Sequence, residues 1–412
     1  MSEREMNTNE QVAFLMQGTE YGDEALKNAM ADELRERLEE ADREGRPLRV
    51  YCGFDPTTSD LHLGHTVPMR KLRQFQELGH EVTFLIGNYT SLIGDPSDKD
   101  KLRPQLSAEK VQENARTYAE QAFKILDREK TLIRYNAEWL SELSFAELIE
   151  LASNFTIQQF LSRENFRNRW DSGSAIYLHE MFYALMQGYD AYAMRTDVQV
   201  GGTDQLFNII TAARKLMTFL GEKPNIGIIN GILPGTDGEV KMSKSLGNHI
   251  PILASPEDMY GKVMSVPDKA MGQYFRLLSR WTPKEIAELE KGIEQNQIHP
   301  RDAKMKLAKE IVSIYHSEEE SESAQAAFVR VFQRGDVPSE MDEYVLMPGQ
   351  TVLDVLVSRD LVSSKSEGRR LIAQNGVRLN GETMEDPNQV FPHEGVLQVG
   401  KRRYLRVIRD NR

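Results

Sequence analysis

Apolar and polar positions fall into two regimes over the first half of the chain. Short runs rich in apolar and β-branched residues occur at Leu48–Phe54, Glu81–Ile86, Thr131–Asn136, Asp197–Gly202 and Asn225–Asn230; their length and composition predict buried strands. Between them lie longer stretches with helical spacing, from His62 to Leu78, Ser107 to Leu126, 143 to 168, 175 to 195 and Leu206 to Leu220. Strands that alternate with helices predict an α/β, Rossmann-like parallel sheet. Residues 1–46 are helical and polar, and are assigned a packing or arm role. From 255 to 335 the pattern is helical without strands, which predicts a separate all-α domain. A linker follows. Then Val352–Val357 predicts a short helix, and Ser364–Gly381 a basic helix, a glycine turn and a strand. A last strand begins at Lys401–Tyr404.

Candidate chemistry sits where strands end. Asp55-Pro56 stops the first strand, because Pro56 has no N–H for a ladder, and His62-Leu63-Gly64-His65 then opens a helix. Strand, turn and helix N-terminus together suit an anion. Gly64 leaves room for a flat ring such as adenine, and two imidazoles three residues apart can donate to phosphate oxygens. The rival readings are cap and surface histidines, or a zinc pair, which lacks further ligands at short spacing. Asp95 follows the second strand as either a ligand contact or a turn residue. Lys99, Lys101 and Arg103 follow as either a solvated loop or a mobile basic lid. On the apolar 175–195 helix, Tyr183, Gln187 and Asp190 share a stripe within about 60°. Polar groups on a buried helix need partners, supplied either by an internal network or by a small polar ligand: an amino group between Tyr183 and Gln187, a hydroxyl against Asp190. Gly201-Gly202-Thr203-Asp204-Gln205 permits close backbone approach, with Asp204 placed for ribose hydroxyls. The Lys241-Met242-Ser243-Lys244-Ser245 loop carries ammonium groups suited to a departing polyphosphate, or is simply a solvated turn. Lys365, Arg369, Arg370, Arg378, Lys401, Arg402 and Arg403 suit an RNA backbone or a solvated face.

Bulk properties narrow the class. At 412 residues two or three domains are expected. With 28% charged residues and a mean hydropathy of −0.51, no apolar run reaches a membrane span and no secretory leader is expected. Cys52 stands alone, so no internal disulfide forms and a cytoplasmic location is expected. Net charge is −12, but residues 351–412 hold 11 Lys and Arg against 8 Asp and Glu, a balance of +3 that leaves −15 for the rest. A basic tail on an acidic body is compatible with nucleic acid bound at one end.

The order of these features resembles the class I aminoacyl-tRNA synthetases, whose two signature motifs match residues 62–65 and 241–245. Within that class it is similar to the bacterial tyrosyl-tRNA synthetases across essentially the whole chain. The likeness rests on Tyr51-Cys-Gly-Phe-Asp55-Pro-Thr, Leu92-Ile-Gly-Asp95-Pro, Tyr183-Ala-Leu-Met-Gln187-Gly-Tyr-Asp190 and Gly201-Gly-Thr-Asp204-Gln205. It implies an N-terminal helical arm (1–46), a Rossmann-like catalytic domain with an inserted helical connective region (47–250) and an α-helical anticodon-binding domain (251–335). A linker (336–343) and a small α+β S4-like RNA-binding domain (344–412) would follow. It further implies that Tyr51 and Asp190 bind the phenol of L-tyrosine and that Asp95, Tyr183 and Gln187 hold the α-amino group. Gln205 would lie near the carboxylate. Gly53, Asp55 and Thr57 would line the junction with ATP, and Gly64, Gly202, Asp204 and Ser243 would belong to the ATP site. His62 and His65 would bind phosphates, and Lys241 and Lys244 the pyrophosphate. ATP with Mg²⁺, tRNA(Tyr) and a homodimer are the implied partners, with no membrane. Three alternatives differ in residues. A tryptophanyl enzyme needs an indole N–H acceptor in place of the Tyr51–Asp190 pair. A non-catalytic RNA-binding relative should have lost His62, His65 or the lysine loop. A nucleotidyltransferase would not carry the basic tail.

Overall fold

The computed structural model describes residues 6–56, 60–97, 108–333, 341–359, 361–362, 364–400 and 403–409. Thr57, Lys99, Lys101, Arg103, Ser107, Lys401 and Arg402 lie outside these. The chain divides into two compact units, Met1–Ser321 and Glu322–Arg412.

The first unit is built on five strands, β1 (Arg49–Phe54), β2 (Glu81–Ile86), β3 (Thr131–Tyr135), β4 (Val198–Gly202) and β5 (Ile226–Asn230). They are all parallel, in the order β3-β2-β1-β4-β5. The chain steps outward from β1 through β2 to β3, then returns to the other side of β1, so the order reverses between β1 and β4. The crevice beyond the carboxyl ends of those strands is where such sheets bind ligands. Here the ladder itself opens. β1 pairs with β2 from Arg49 to Phe54 but with β4 only at Val50–Val198 and Tyr51–Gln199, while β4 stays paired with β5 as far as Gly202. Past Tyr51 the two central strands part, and Gly53, in the middle of the sheet, is exposed.

The opposite end of the same pair is pinned by Asp197. Its N–H donates to Arg49 O at 3.0 Å and its carbonyl accepts from Ile226 N at 2.8 Å. Its buried carboxylate takes the Arg49 N–H at 2.9 Å and ion pairs from Arg37 (3.1 Å), Arg46 (2.9 Å) and Arg49 (3.2 Å). Arg37 comes from the helix Glu24–Glu44, which ties the N-terminal segment to the sheet. Thr19 bridges Asn230 in antiparallel fashion, and Lys71 Nζ donates to Leu15 O and Gln17 O at 2.8 and 2.9 Å. The N-terminal helices therefore pack as part of this unit.

Two elements differ from their sequence patterns. The stretch 143–168 is three helices, Phe145–Ala152, Ile157–Leu161 and Glu164–Asp171. Thr156 breaks it by capping Gln159 N–H with its own side chain, a local bond that competes with helix continuation. The helix after β4 starts as a π-helical segment, Phe207–Ala213, before the α-helix Arg214–Phe219; π geometry is frequent at functional sites. From Pro256 to Gln333 the chain is helical, with Pro256, Pro283 and Pro300 at first turns capped by Ser255, Thr282 and His299.

The second unit carries β6 (Glu343–Leu346), β7 (Val377–Leu379), β8 (Glu382–Thr383), β9 (Gly395–Val399) and β10 (Arg403–Arg409) in the order β6-β10-β9-β7-β8. β6 runs parallel to β10 and the other pairs are antiparallel. Helices Val352–Ser358 and Lys365–Ala373 accompany the sheet, over a core that includes Leu356, Ile372, Leu397 and Val407.

Asp197 yields a stability prediction. Burial alone would raise its pKa, but the Arg49 amide, the Arg49 guanidinium and Arg46 hold it below the ordinary aspartate value. A depressed folded-state pKa contributes stability that is present above the unfolded value and is lost as pH falls through the folded one. Asp197→Asn should cost about 3–5 kcal/mol at pH 7, as for a broken buried pair. Thermal melts followed by circular dichroism should also show a flatter acid limb below about pH 4. An acid limb identical to that of the unsubstituted chain would refute this.

Candidate active site

The helix Leu178–Ala193 runs past the cleft and presents Tyr183, Gln187 and Asp190 on one side. Tyr183 OH donates to Asp55 Oδ2 at 2.9 Å, and Thr90 Oγ1 donates to Asp55 Oδ1 at 2.8 Å. Gly87 is required for this arrangement, because a Cβ there would stand 2.1 Å from Asp55 Oδ1. Gln187 Oε1 accepts from Asn208 Nδ2 at 3.0 Å. Asp190 accepts from Trp139 Nε1 at 2.7 Å and Asn136 Nδ2 at 3.3 Å. Tyr51 lies buried on β1 with its OH 3.4 Å from Gln187 O. Gln205 Nε2 bridges two carboxylates, Asp95 Oδ2 at 2.6 Å and Asp204 Oδ2 at 3.1 Å. The stripe therefore enters two hydrogen-bonded sets: Tyr183 and Asp190 are joined through Asp55, Thr90 and Asn136, and Gln187 is joined through Asn208 and Gln205 to Asp95 and Asp204.

Its electrostatics follow from burial. Desolvation first, then the Asp190 charge, pushes the Tyr51 phenol well above its ordinary pKa. Desolvation, then Asp55 and Asp95, does the same for Tyr183. Both remain neutral donors. Asp190 is raised to about 7 by burial, against the bonds from Trp139 and Asn136. With Asp55, Asp95, Asp190 and Asp204 in one cleft, the site suits a ligand with an ammonium and a hydrogen-bond donor at its other end.

The second cluster sits at the N-terminus of the helix Leu63–Glu77. His62 is its N-cap: His62 Nδ1 accepts from Gly64 N–H at 3.2 Å, and His65 Nδ1 accepts from His62 N–H at 3.3 Å. Both Nδ1 atoms are acceptors, so each neutral ring carries its proton on Nε2. Burial, then His65, His249, Lys241 and Lys244, lowers the His62 pKa to about 3, which keeps it neutral at pH 7. Gly64 has the His62 ring upon it, where a Cβ would stand 3.0 Å from Cε1 and 3.5 Å from Met242 Cβ. The lysine loop is clipped to this turn. Leu63 N donates to Ile250 O at 3.0 Å, Ile252 N to Leu61 O at 3.1 Å, and His62 bridges Pro251. Buried Asn248 holds the loop's backbone, accepting from Ser243 N–H at 2.8 Å and donating to Asp237 Oδ2 at 2.5 Å. Lys241 and Lys244 are exposed, and Lys244 Nζ pairs with Asp60 at 2.6 Å.

Comparison with known proteins follows this geometry. Residues 43–333 match the tRNA synthetases class I (W and Y), and residues 352–393 match the S4 domain. The tyrosine–tRNA ligase of Desulfotalea psychrophila is 46% identical over 381 residues, 92% of this chain and 94% of its own. That of Haemophilus influenzae is 46% identical over 400 residues, 97% of each chain. The chain belongs to the tyrosine–tRNA ligase family. A solved structure of tyrosyl-tRNA synthetase complexed with L-tyrosine from Archaeoglobus fulgidus superposes with a TM-score of 0.59 at 21% identity, covering 77% of this chain and all of the other; this likeness is one of fold. An enzyme of this family is an ATP-dependent ligase.

Several residues of the site carry no motif. Asn136 and Trp139, which hold Asp190, follow directly from β3, and the carboxyl edge of that strand is the signal that points to them. Asn208 lies three residues past Gln205, at the start of the π-helical segment. In the second unit, Lys365, Arg369, Arg370, Arg378 and Arg403 are exposed. Lys365 pairs with Asp354 at 3.5 Å, and Arg403 donates to Leu361 O.

Asp190 should cost stability. A carboxyl whose folded pKa is raised above its unfolded value binds its proton more tightly when folded, so stability falls as pH rises from about 3.8 to about 7. Asp190→Asn is therefore expected to melt higher than the unsubstituted chain at pH 8, by up to a few kcal/mol, with the gap closing towards pH 4. Scanning calorimetry at both pH values decides it; a variant that melts lower at pH 8 contradicts the account.

Proposed function

We infer that this cleft activates L-tyrosine with ATP, releasing pyrophosphate, and then passes the tyrosyl group to the 3′ end of tRNA(Tyr). The observation that carries the reading is Asp190, a buried carboxylate held by Trp139 and Asn136 and within electrostatic reach of the Tyr51 phenol. A substrate phenol placed between Tyr51 and Asp190 adds a further donor to the two that this carboxylate already accepts from. Phenylalanine would cover Asp190 and Tyr51 with a ring edge that offers neither of them a hydrogen bond, and tyrosyl enzymes are the standard illustration of rejection by that effect.

At the other end of the amino acid, Asp95, Tyr183 and Gln187 take the α-ammonium, and Gln205 lies towards the carboxylate. Gly53, Asp55 and Thr57 line the junction with the nucleotide, with Thr57 assigned from the family motif. Gly64, Gly202, Asp204 and Ser243 complete the ATP site, Asp204 against the ribose. The substrate carboxylate is already a nucleophile, so the α-phosphorus is attacked without a general base. The work left to the protein is alignment and stabilisation of charge as pyrophosphate leaves. His62 and His65 donate from Nε2 to the phosphates, and Lys241 and Lys244 follow the growing charge. Mg²⁺ enters with ATP as part of the nucleotide substrate, held by its phosphates. A terminal ribose hydroxyl of tRNA then attacks the acyl carbon and expels AMP.

We assign residues 47–250 to activation, 251–335 to the anticodon arm and 344–412 to RNA through Lys365, Arg369, Arg370, Arg378, Lys401, Arg402 and Arg403. A homodimer is supported by large apolar side chains left exposed between Phe145 (77%) and Leu178 (68%), among them Ile149, Ile157 and Trp170. No helix among the described residues is long and apolar enough to cross a membrane, and with the single cysteine this supports a cytoplasmic enzyme.

The test is amino-acid-dependent ATP–pyrophosphate exchange with each of the twenty amino acids and no tRNA. Exchange with tyrosine alone is expected. Exchange with tryptophan would keep the fold and overturn the Tyr51–Asp190 assignment; silence with all twenty would overturn the activation reading. Lys244→Ala should slow pre-steady-state adenylate formation about 10²-fold, with tyrosine affinity nearly unchanged. An unaltered rate would remove the lysine loop from the chemistry.

A further inference from the structure

Arg163 stands at the break between the helices Ile157–Leu161 and Glu164–Asp171, with its own backbone extended at φ −70° and ψ 134°. That break turns the side chain inward, and the residue is only 8% exposed. Nη2 donates to Ser97 Oγ at 2.6 Å. The guanidinium carbon lies 5.2 Å from the Phe166 ring centroid and 5.0 Å from that of Phe207. Nη1 is buried without a partner among the described residues. Removing a guanidinium from water costs several kcal/mol unless its hydrogen bonds are fully met, and here they are not. A space between two phenyl rings would be filled more cheaply by Met or Leu, so packing alone does not account for a charge here.

What the charge touches does. Ser97 Oγ also accepts from Asn208 Nδ2 at 3.2 Å, and Ser97 N–H donates to Asp95 Oδ1 at 2.8 Å. The same Asn208 Nδ2 lies 3.0 Å from both Gln187 Oε1 and Gln205 Oε1, so its two protons are shared among three acceptors, Ser97 Oγ being the most distant. One guanidinium thus stands behind Asp95, Gln187 and Gln205 together. It is also a cation in electrostatic reach of Asp95 and Asp204, whose carboxylates share Gln205 Nε2.

We propose that Arg163 is a positioning residue for the amino-acid subsite, holding the Asp95-Pro96-Ser97 turn and Asn208 in register and offsetting the repulsion between Asp95 and Asp204. This rests on the reading of the cleft as the tyrosine site. Arg163 touches no reacting atom; it acts through Ser97. It also makes the inserted helical region part of the amino-acid pocket, because a shift of the 157–171 helices would be transmitted through one side chain to the groups assigned to the α-ammonium.

The test uses the full-length enzyme with Arg163→Met, Arg163→Lys, Ser97→Ala and the double variant Arg163→Met/Ser97→Ala. Tyrosine binding is measured by calorimetry, and pyrophosphate exchange is measured with tyrosine or ATP varied. Arg163→Met should weaken tyrosine binding and raise its KM about tenfold, the size of a lost charged hydrogen bond, with KM for ATP within about twofold and no fall in melting temperature. Arg163→Lys, which keeps the charge, should recover part of the loss. Ser97→Ala should move tyrosine affinity in the same direction, and the double variant should be no worse than Arg163→Met. Unchanged tyrosine affinity in Arg163→Met overturns the proposal, as does an equal rise in both KM values or full additivity in the double variant. Should Arg163→Met fail to fold, Ser97→Ala alone decides. Tyrosine-dependent exchange by the unsubstituted enzyme is read first: its absence overturns the site reading and the proposal with it, whereas its presence with intact tyrosine affinity in the variants overturns the proposal alone.

Discussion

Two adjacent parallel strands, β1 and β4, are tied together at one end by a buried carboxylate and left unbonded at the other. Asp197 gathers the Arg49 amide and three guanidiniums at the base of the pair, and the ladder between the strands stops at Tyr51. The strands cannot slide, because their bases are fixed to each other and, through Arg37, to an N-terminal helix. Twisted neighbours held at one end diverge at the other. The cleft is the result, and Tyr51, Gly53, Asp55, Gly202, Asp204 and Gln205 lie on those two strands or in the turns that follow them.

Within the cleft most of the polar groups bond to one another, with Asn208 Oδ1 left without a partner among the described residues. Tyr183 donates to Asp55, Gln205 spans Asp95 and Asp204, and Asn208 serves both Gln187 and Gln205. Such a network is rigid when complete. Asp190 is the member that burial leaves strained, with its pKa displaced to about 7. Functional sites commonly hold a group that stability alone would replace, and the same desolvation that penalises this carboxylate makes it discriminating toward a donor.

The nucleotide side is organised differently. His62 and His65 are fixed by bonds to the first turn of their helix, which leave the proton of each ring on Nε2, and the backbone pairing of 61–63 with 250–252 holds the lysine loop against the same turn. The lysine side chains remain exposed. Fixed neutral donors with movable ammonium groups suit a reaction in which negative charge grows on the leaving group.

The sequence by itself determined the fold class, the strands and the two motifs. A run such as Glu81–Ile86 declares itself through apolar, β-branched content, and His62–His65 through its place after a strand; these are local patterns, set by period and by turn chemistry. It also brought out the Tyr183, Gln187 and Asp190 stripe, since helical spacing fixes who shares a face. Whether that stripe met a network or a pocket was not legible, because partners such as Trp139, Asn136 and Asn208 lie tens of residues away or carry no pattern of their own. Asp197 reads as an ordinary strand residue, and Arg163 reads as the inside of a helix until Thr156 and the break after it turn the side chain inward. Tertiary structure alone decided these, since burial, register and long-range pairing set a charged group's role, and none of them is encoded in the spacing of its neighbours along the chain.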